Sequence, residues 1–245
     1  MTDFIVVIPA RMGSERLPGK PLLELGGRPM IERVQERAWA SGAARVLVAT
    51  DDERVAAAAR RSGGEGYVTS GEHPTGTDRI AEVCRYLELD DDAIVVNLQG
   101  DEPLMPPELL TIAADALHRH ATADVATLAT PLARGLIDDP SAVKVVLDSR
   151  GYALYFSRAA IPWPREEPAE SVWHRHLGLY AYRAGFLHRF PALQVPDIEC
   201  LERLEQLRAL WHGYRIHVTT IAEAPEAGVD TPADLARVAA HYAGR

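Results

Sequence analysis

Apolar positions along the first half of the chain recur in two alternating periods. Residues 4–8 form a short, largely β-branched run, as a strand buried on both faces requires. Ile31, Val34 and Ala38 then repeat at helical spacing behind Pro29, and Gly42 supplies the stop. The pattern predicts a second strand over 45–50, an alanine-rich helix over 53–62, a short strand over 66–69 and a helix over 77–88. A further buried strand follows over 93–98, then a loop over 99–103 and a helix over 106–119. Strand and helix alternating in this rhythm imply βαβ units around a mainly parallel sheet.

The second half reads differently. Residues 143–147, 153–156 and 176–182 are strand-like and separated by turns, including Pro162-Trp163-Pro164. They predict an antiparallel insertion on the main sheet. A helix over 198–212 follows, with Leu201, Leu204 and Trp211 as its apolar residues, and 215–220 would be a strand. The last helix opens on Thr231-Pro232-Ala233-Asp234, a capping-box-like start, with Leu235, Val238 and Tyr242 as its apolar stripe. No internal repeat, low-complexity tract or long linker interrupts the chain, so one α/β domain over 1–245 is expected.

Composition narrows the function classes. A chain of 245 residues buries roughly 70–75% of its unfolded surface and needs no disulfide or structural zinc. The net charge of −9 argues against a non-specific nucleic-acid binder, so an anionic ligand would need a local basic cluster. No apolar run approaches the ~20 residues of a membrane span. The opening apolar run stops at Pro9 without a basic lead-in, unlike a signal peptide. Cys84 and Cys200 lack metal-type spacing, and a reduced cytoplasmic protein is the plain expectation.

Lys20 and Lys144 are the chain's two lysines, which draws attention to the loop containing Lys20. That loop runs from Pro9 to Pro21, beyond the carboxyl end of the first strand, where open α/β sheets bind ligands. Arg11, Arg16 and Lys20 put three cations on it, and Gly13 and Gly19 let backbone N–H groups approach anionic oxygens. The loop fits a polyphosphate cradle, although it matches neither the Walker A pattern nor G-x-G-x-x-G. The alternative is a solvated basic loop.

Asp101, in Gln99-Gly100-Asp101-Glu102-Pro103, also follows a buried strand and could hold Mg²⁺ together with phosphate oxygens and water. It could equally be a turn residue. Asp230 precedes the last helix, where a carboxylate favours the helix dipole whatever its function. Pairing with Asp101 is what makes it a candidate metal ligand. In His73-Pro74-Thr75-Gly76-Thr77-Asp78-Arg79 the small hydroxyl residues around a glycine could meet a nucleotide base or ribose, or Thr77 could simply cap the following helix. Arg158 could clamp a carboxylate. His176 and Tyr180 point to one side of a strand, and Glu202 and Gln206 share a helix face with Glu205 beside them. For this last group a solvated helix face and a satisfied strand histidine are the simpler account.

Taken together, these stretches resemble the 3-deoxy-D-manno-octulosonate (Kdo) cytidylyltransferase, or CMP-Kdo synthetase, family. The matching segments are 8–21, 48–51, 76–79, 96–103, 142–148, 155–159, 175–178, 204–208 and 229–232, in the family's order and across nearly the whole chain. The pair Gln99-Gly100-Asp101-Glu102-Pro103 and Val229-Asp230-Thr231-Pro232 is the more specific signature.

The resemblance implies a three-layer, Rossmann-like nucleotide-diphospho-sugar transferase fold, a homodimer, CTP as donor and Mg²⁺ as cofactor. It implies transfer of CMP to the anomeric hydroxyl of Kdo with release of pyrophosphate, as in lipopolysaccharide-type sugar activation. Another ulosonic acid or a small phosphonate is the alternative acceptor, and a non-catalytic nucleotide-binding protein the alternative class. By resemblance, Arg11, Ser14, Arg16 and Lys20 meet the triphosphate, while Ala10, Thr75, Gly76, Thr77, Arg79 and Gln99 lie near the nucleotide. Asp101 and Asp230 hold Mg²⁺, and Lys20, Arg16 and these two aspartates are the catalytic set. Gln99, Arg158, His176, Tyr180, Glu205 and Gln206 meet the sugar acid. Thr75 stands where a serine is usual and keeps the hydroxyl, and the 164–174 stretch is short. About 142–195 would form an acceptor-binding and dimerisation lobe.

Overall fold

The computed structural model describes residues 2–13, 16–166 and 173–243. In chain order the first half comprises β1 (Ile5–Ala10), β2 (Glu24–Leu25), β3 (Arg28–Pro29), α1 (Met30–Ala40), β4 (Arg45–Thr50), α2 (Glu53–Arg61), β5 (Glu65–Val68), α3 (Gly76–Tyr86), β6 (Ile94–Asn97) and α4 (Pro107–Arg119). The second comprises β7 (Val125–Pro131), β8 (Lys144–Leu147), β9 (Ala153–Ser157), β10 (His174–Arg183), α5 (Ala184–Arg189), α6 (Asp197–Glu202), α7 (Gln206–Trp211), β11 (Ile216–Thr220) and α8 (Pro232–Ala243).

The main sheet has the order β11-β7-β10-β6-β1-β4-β5. β6, β1, β4 and β5 run parallel, as do β7 and β11. β10 lies antiparallel between β6 and β7. The sequence pattern placed this strand in an insertion. Instead it is an interior strand, and only β8 and β9 form the appended antiparallel part, joined at the start of β10. The pattern also passed over β7, which is buried from Val125 to Thr130. Its Val-Ala-Thr-Leu-Ala-Thr sequence shows neither alternation nor a bulky apolar run.

Helices cover both faces. One apolar cluster joins Val6 and Ile8 to Ile31, Val34, Leu110 and Val238 from α1, α4 and α8. The other joins Val7 and Leu47 to Ile80, Phe186 and Leu207 from α3, α5 and α7. The three-layer α/β expectation therefore holds. No helix among the described residues is long and apolar enough to cross a membrane.

The expected helix over 198–212 is broken. Arg203 adopts a left-handed backbone (φ 52°) between α6 and α7. The Glu202 carboxylate accepts from Ser157 Oγ and Arg158 N, which turns the chain there. Of its three apolar residues Leu204 is buried, while Leu201 and Trp211 are 82% and 63% exposed. The break also separates Glu202 from Gln206.

Candidate active site

The carboxyl ends of β1 and β6 open onto a cavity of about 580 Å³. Ala10 closes β1 there, and Arg11, Arg16, Lys20, Thr75, Gly76, Arg79, Gln99, Asp101 and Asp230 all line the cavity. The sequence-derived loop thus comes together with both aspartates. Ser14 lies outside the described residues.

Lys20 sits in a tight turn, its N–H donating to the Leu17 carbonyl at 3.1 Å. Its ammonium donates to Asp101 Oδ2 at 2.6 Å and to Asp230 Oδ1 at 3.3 Å. Arg16 reaches the same Asp230 oxygen at 3.3 Å. Two carboxylates distant in sequence therefore share one cation. Their spacing is set by backbone, since Val229 N donates to the Asp101 carbonyl at 2.9 Å. A β-carbon at Gly228 would lie 2.8 Å from that carbonyl oxygen and 3.0 Å from the Glu102 carboxylate, so only glycine permits this approach. Asp230 precedes a capping box in which Asp234 N donates to Thr231 Oγ1 and Thr231 N to Asp234 Oδ2.

Thr75, not Thr77, caps α3, its hydroxyl oxygen accepting from Asp78 N at 3.2 Å. Thr77 lies two residues on, in the first turn of the helix, and its hydroxyl donates to Glu205. Arg79 is buried, donating to Thr69 Oγ1 and lying 3.6 Å from Asp51. Asp51 also accepts from Met12 N at 2.9 Å, so it anchors the start of the basic loop.

The residues expected to meet the sugar acid divide. His176 and Gln99 line a side cavity of about 130 Å³ next to the main one. Thr127 Oγ1 donates to the carbonyls of Leu177 and Leu179, so it accepts from His176 Nε2 at 3.0 Å. Desolvation lowers the His176 pKa to about 3, which leaves the ring neutral. A bulge between Leu177 and Tyr180 brings the His176 and Tyr180 rings to 5.3 Å. Four residues of regular strand would hold them roughly 13 Å apart.

Tyr180, Glu205 and Gln206 line a small third cavity of about 20 Å³, room for about one water. Burial raises the pKa of both Tyr180 and Glu205. Arg158 does not reach either cavity. Its guanidinium donates to the carbonyls of Glu202, Pro140 and Arg203, which makes it a staple across the helix break.

Residue-pattern reasoning missed Glu102. It lines the side cavity, and burial, followed by Asp101 and Asp230, raises its pKa to about 7. A glutamate before proline reads as an ordinary turn residue, and its burial leaves no local signal. His73, which opens the candidate 73–79 stretch but has no role suggested by it, lines the main cavity and pairs with Glu82.

The family model for cytidylyltransferases matches residues 5–216. The 3-deoxy-manno-octulosonate cytidylyltransferase of Halorhodospira halophila is 58% identical over 96% of this chain and 95% of its own length. That of Alkalilimnicola ehrlichii is 57% identical over 97% and 95%. The chain belongs to the 3-deoxy-manno-octulosonate cytidylyltransferase family. A solved CMP:2-keto-3-deoxy-manno-octonic acid synthetase complexed with CTP superposes with a TM-score of 0.91, at 43% identity and covering 99% of both chains. Membership makes the chain a nucleotidyltransferase, and the family match spans every loop that lines the main cavity except the Asp230 loop, which the full-length relatives cover.

Proposed function

We propose that the chain transfers CMP from CTP to the anomeric hydroxyl of Kdo, giving CMP-Kdo and pyrophosphate, with Mg²⁺ as cofactor. The observation that carries this is the Asp101–Lys20–Asp230 cluster in a cavity rimmed by Arg11 and Arg16. The chemistry needs anionic oxygens gathered beside a cation, and the cluster supplies both signs of charge.

Asp101 and Asp230 fit Mg²⁺. Both already face one cation, the Lys20 ammonium, and two carboxylates completed by phosphate oxygens and water are the donor set Mg²⁺ favours. Among the described residues no group of three His, Cys, Asp or Glu is arranged for an all-protein metal cage, which agrees with such an open set. Bound there, the ion would withdraw charge from the α-phosphate and orient the attacking hydroxyl.

The chain's own residues position and neutralise. Arg11 and Arg16 bind the triphosphate, and Lys20, with three N–H donors, stabilises the leaving pyrophosphate. Thr75, Gly76, Arg79 and Gln99 hold the nucleoside end. The hydroxyl oxygen attacks the α-phosphorus in line with the departing pyrophosphate, so placement supplies much of the rate. His176 and Gln99 face the acceptor in the side cavity, with Tyr180, Glu205 and Gln206 behind them.

Exposed Leu154 and Trp163 support a dimer face within 142–195, part of which, 167–172, lies outside the described residues. Two free thiols, Cys84 and Cys200, agree with a reducing cytoplasm. The deciding experiment follows pyrophosphate release from CTP with Kdo, other ulosonic acids and small phosphonates, and replaces CTP by other nucleotides. Turnover is expected with Kdo, CTP and Mg²⁺. Turnover with a different acid alone would overturn the acceptor, and tight CTP binding without turnover would overturn the activity.

A further inference from the structure

We propose that Tyr242, near the end of α8, is a positioning residue for the Asp101–Asp230 pair. The inference rests on reading those carboxylates as the cation-holding pair. Tyr242 Oη donates to the Pro103 carbonyl at 2.7 Å, two residues beyond Asp101. The other end of the same segment bonds Asp101 itself, through Val229 N. The Asp101 loop is thus gripped on both sides by one strap, whose first residues include Asp230. About 15 Å of helix lies between Pro232 and Tyr242, so the strap is a rod rather than a flexible tail.

The Tyr242 ring is itself held by the segment that follows Lys20. The Arg33 guanidinium lies 4.4 Å from the ring centroid, and it donates to the carbonyls of Leu25 and Gly26 at 3.0 Å each. A β-carbon at Gly26 would stand 2.9 Å from Tyr242 Cβ, so glycine allows the β2–β3 hairpin to touch the helix. Met30 N donates to the Leu23 carbonyl at 2.8 Å and ties that hairpin back to the Lys20 turn. The Asp101 loop and the hairpin that follows the Lys20 turn therefore meet at one side chain, at the far end of the helix that Asp230 precedes. Phenylalanine would fill the same space, so packing alone does not call for the hydroxyl.

Tyr242→Phe keeps the ring and removes the bond to Pro103. It should melt within a few degrees of the wild type. The Mg²⁺ concentration for half-maximal turnover should rise about three- to ten-fold, the size of one net hydrogen bond, and excess Mg²⁺ should restore kcat. Mn²⁺ binding in the presence of CTP, read from the signal of free Mn²⁺ by electron paramagnetic resonance, should weaken by the same factor. Should Tyr242→Phe melt far lower, Arg33→Met decides on the same readouts, with a shift expected in the same direction. Unchanged metal dependence and Mn²⁺ binding, or a loss that excess Mg²⁺ does not relieve, would overturn the inference alone. A wild-type chain indifferent to EDTA would overturn the two-carboxylate reading and this inference with it.

Discussion

The backbone N–H of Val229 donates to the carbonyl oxygen of Asp101 at 2.9 Å. This bond joins two loops that lie far apart in sequence and fixes how Asp230 meets Asp101. Because it is a main-chain bond, side-chain substitution reaches it only through crowding. Gly228→Ala puts a methyl 2.8 Å from the Asp101 carbonyl oxygen. Overpacking of this kind costs about 1–3 kcal/mol, so the melting point should fall and turnover drop together. Wild-type turnover in this variant, measured by pyrophosphate release, would show that the spacing of the loops does not matter.

Asp101→Asn and Asp230→Asn each remove one charge from the shared pair without changing shape. Each should lower kcat by about 10²–10³, the usual loss for one pre-placed electrostatic contact. Melting points should stay near the wild type, because Asp230 is half exposed and both pairs share Lys20. A variant that keeps wild-type rates would remove that aspartate from the proposed mechanism.

Arg158→Met tests a residue whose sequence reading and structural surroundings differ. Its guanidinium bonds three backbone carbonyls across the α6–α7 break. Losing them should cost about 1–3 kcal/mol of stability, seen in urea unfolding. If the acceptor KM rises while stability is unchanged, the guanidinium leaves those carbonyls to meet substrate.

Acid should weaken the fold through His217. Its ring stacks on His120 at 3.7 Å, and burial, followed by His120 and Arg119, lowers its pKa to about 4. An unfolded histidine titrates near 6.5, so between these values the folded chain binds fewer protons than the unfolded one. The stability contributed by the neutral ring is full above about pH 6.5 and is lost as pH falls toward about 4. Urea midpoints should therefore drop between pH 7 and pH 5 more steeply for the wild type than for His217→Gln. Equal slopes would assign the acid sensitivity elsewhere, with His176 the next group to test.

The parts of the site that were legible before the structure share a feature. Lys20 and Asp101 each follow a strand's carboxyl end in a loop marked by glycine or proline, and Asp230 precedes a recognisable helix start. Local sequence carries those signals. It carries none for Arg203, a non-glycine residue in the left-handed region, so neither the break between α6 and α7 nor the exposure of Leu201 and Trp211 is legible there. Nor could it show that Arg158 is spent on backbone carbonyls, because main-chain acceptors have no residue signature. β7 escaped because alanine and threonine fill an interior strand without forming an apolar run.

The antiparallel strand at the middle of the sheet also shapes how the chain can be made. β1, β4, β5 and β6 can pair once residue 97 has left the ribosome. The second edge of β6 is covered only by Tyr180–Arg183, and β7 also waits for β10. A nascent chain therefore carries a bare, largely apolar rim at Ile94–Asn97 until residues 180–183 have emerged. Truncations ending before residue 183 should yield sticky, chaperone-bound fragments rather than a smaller soluble enzyme.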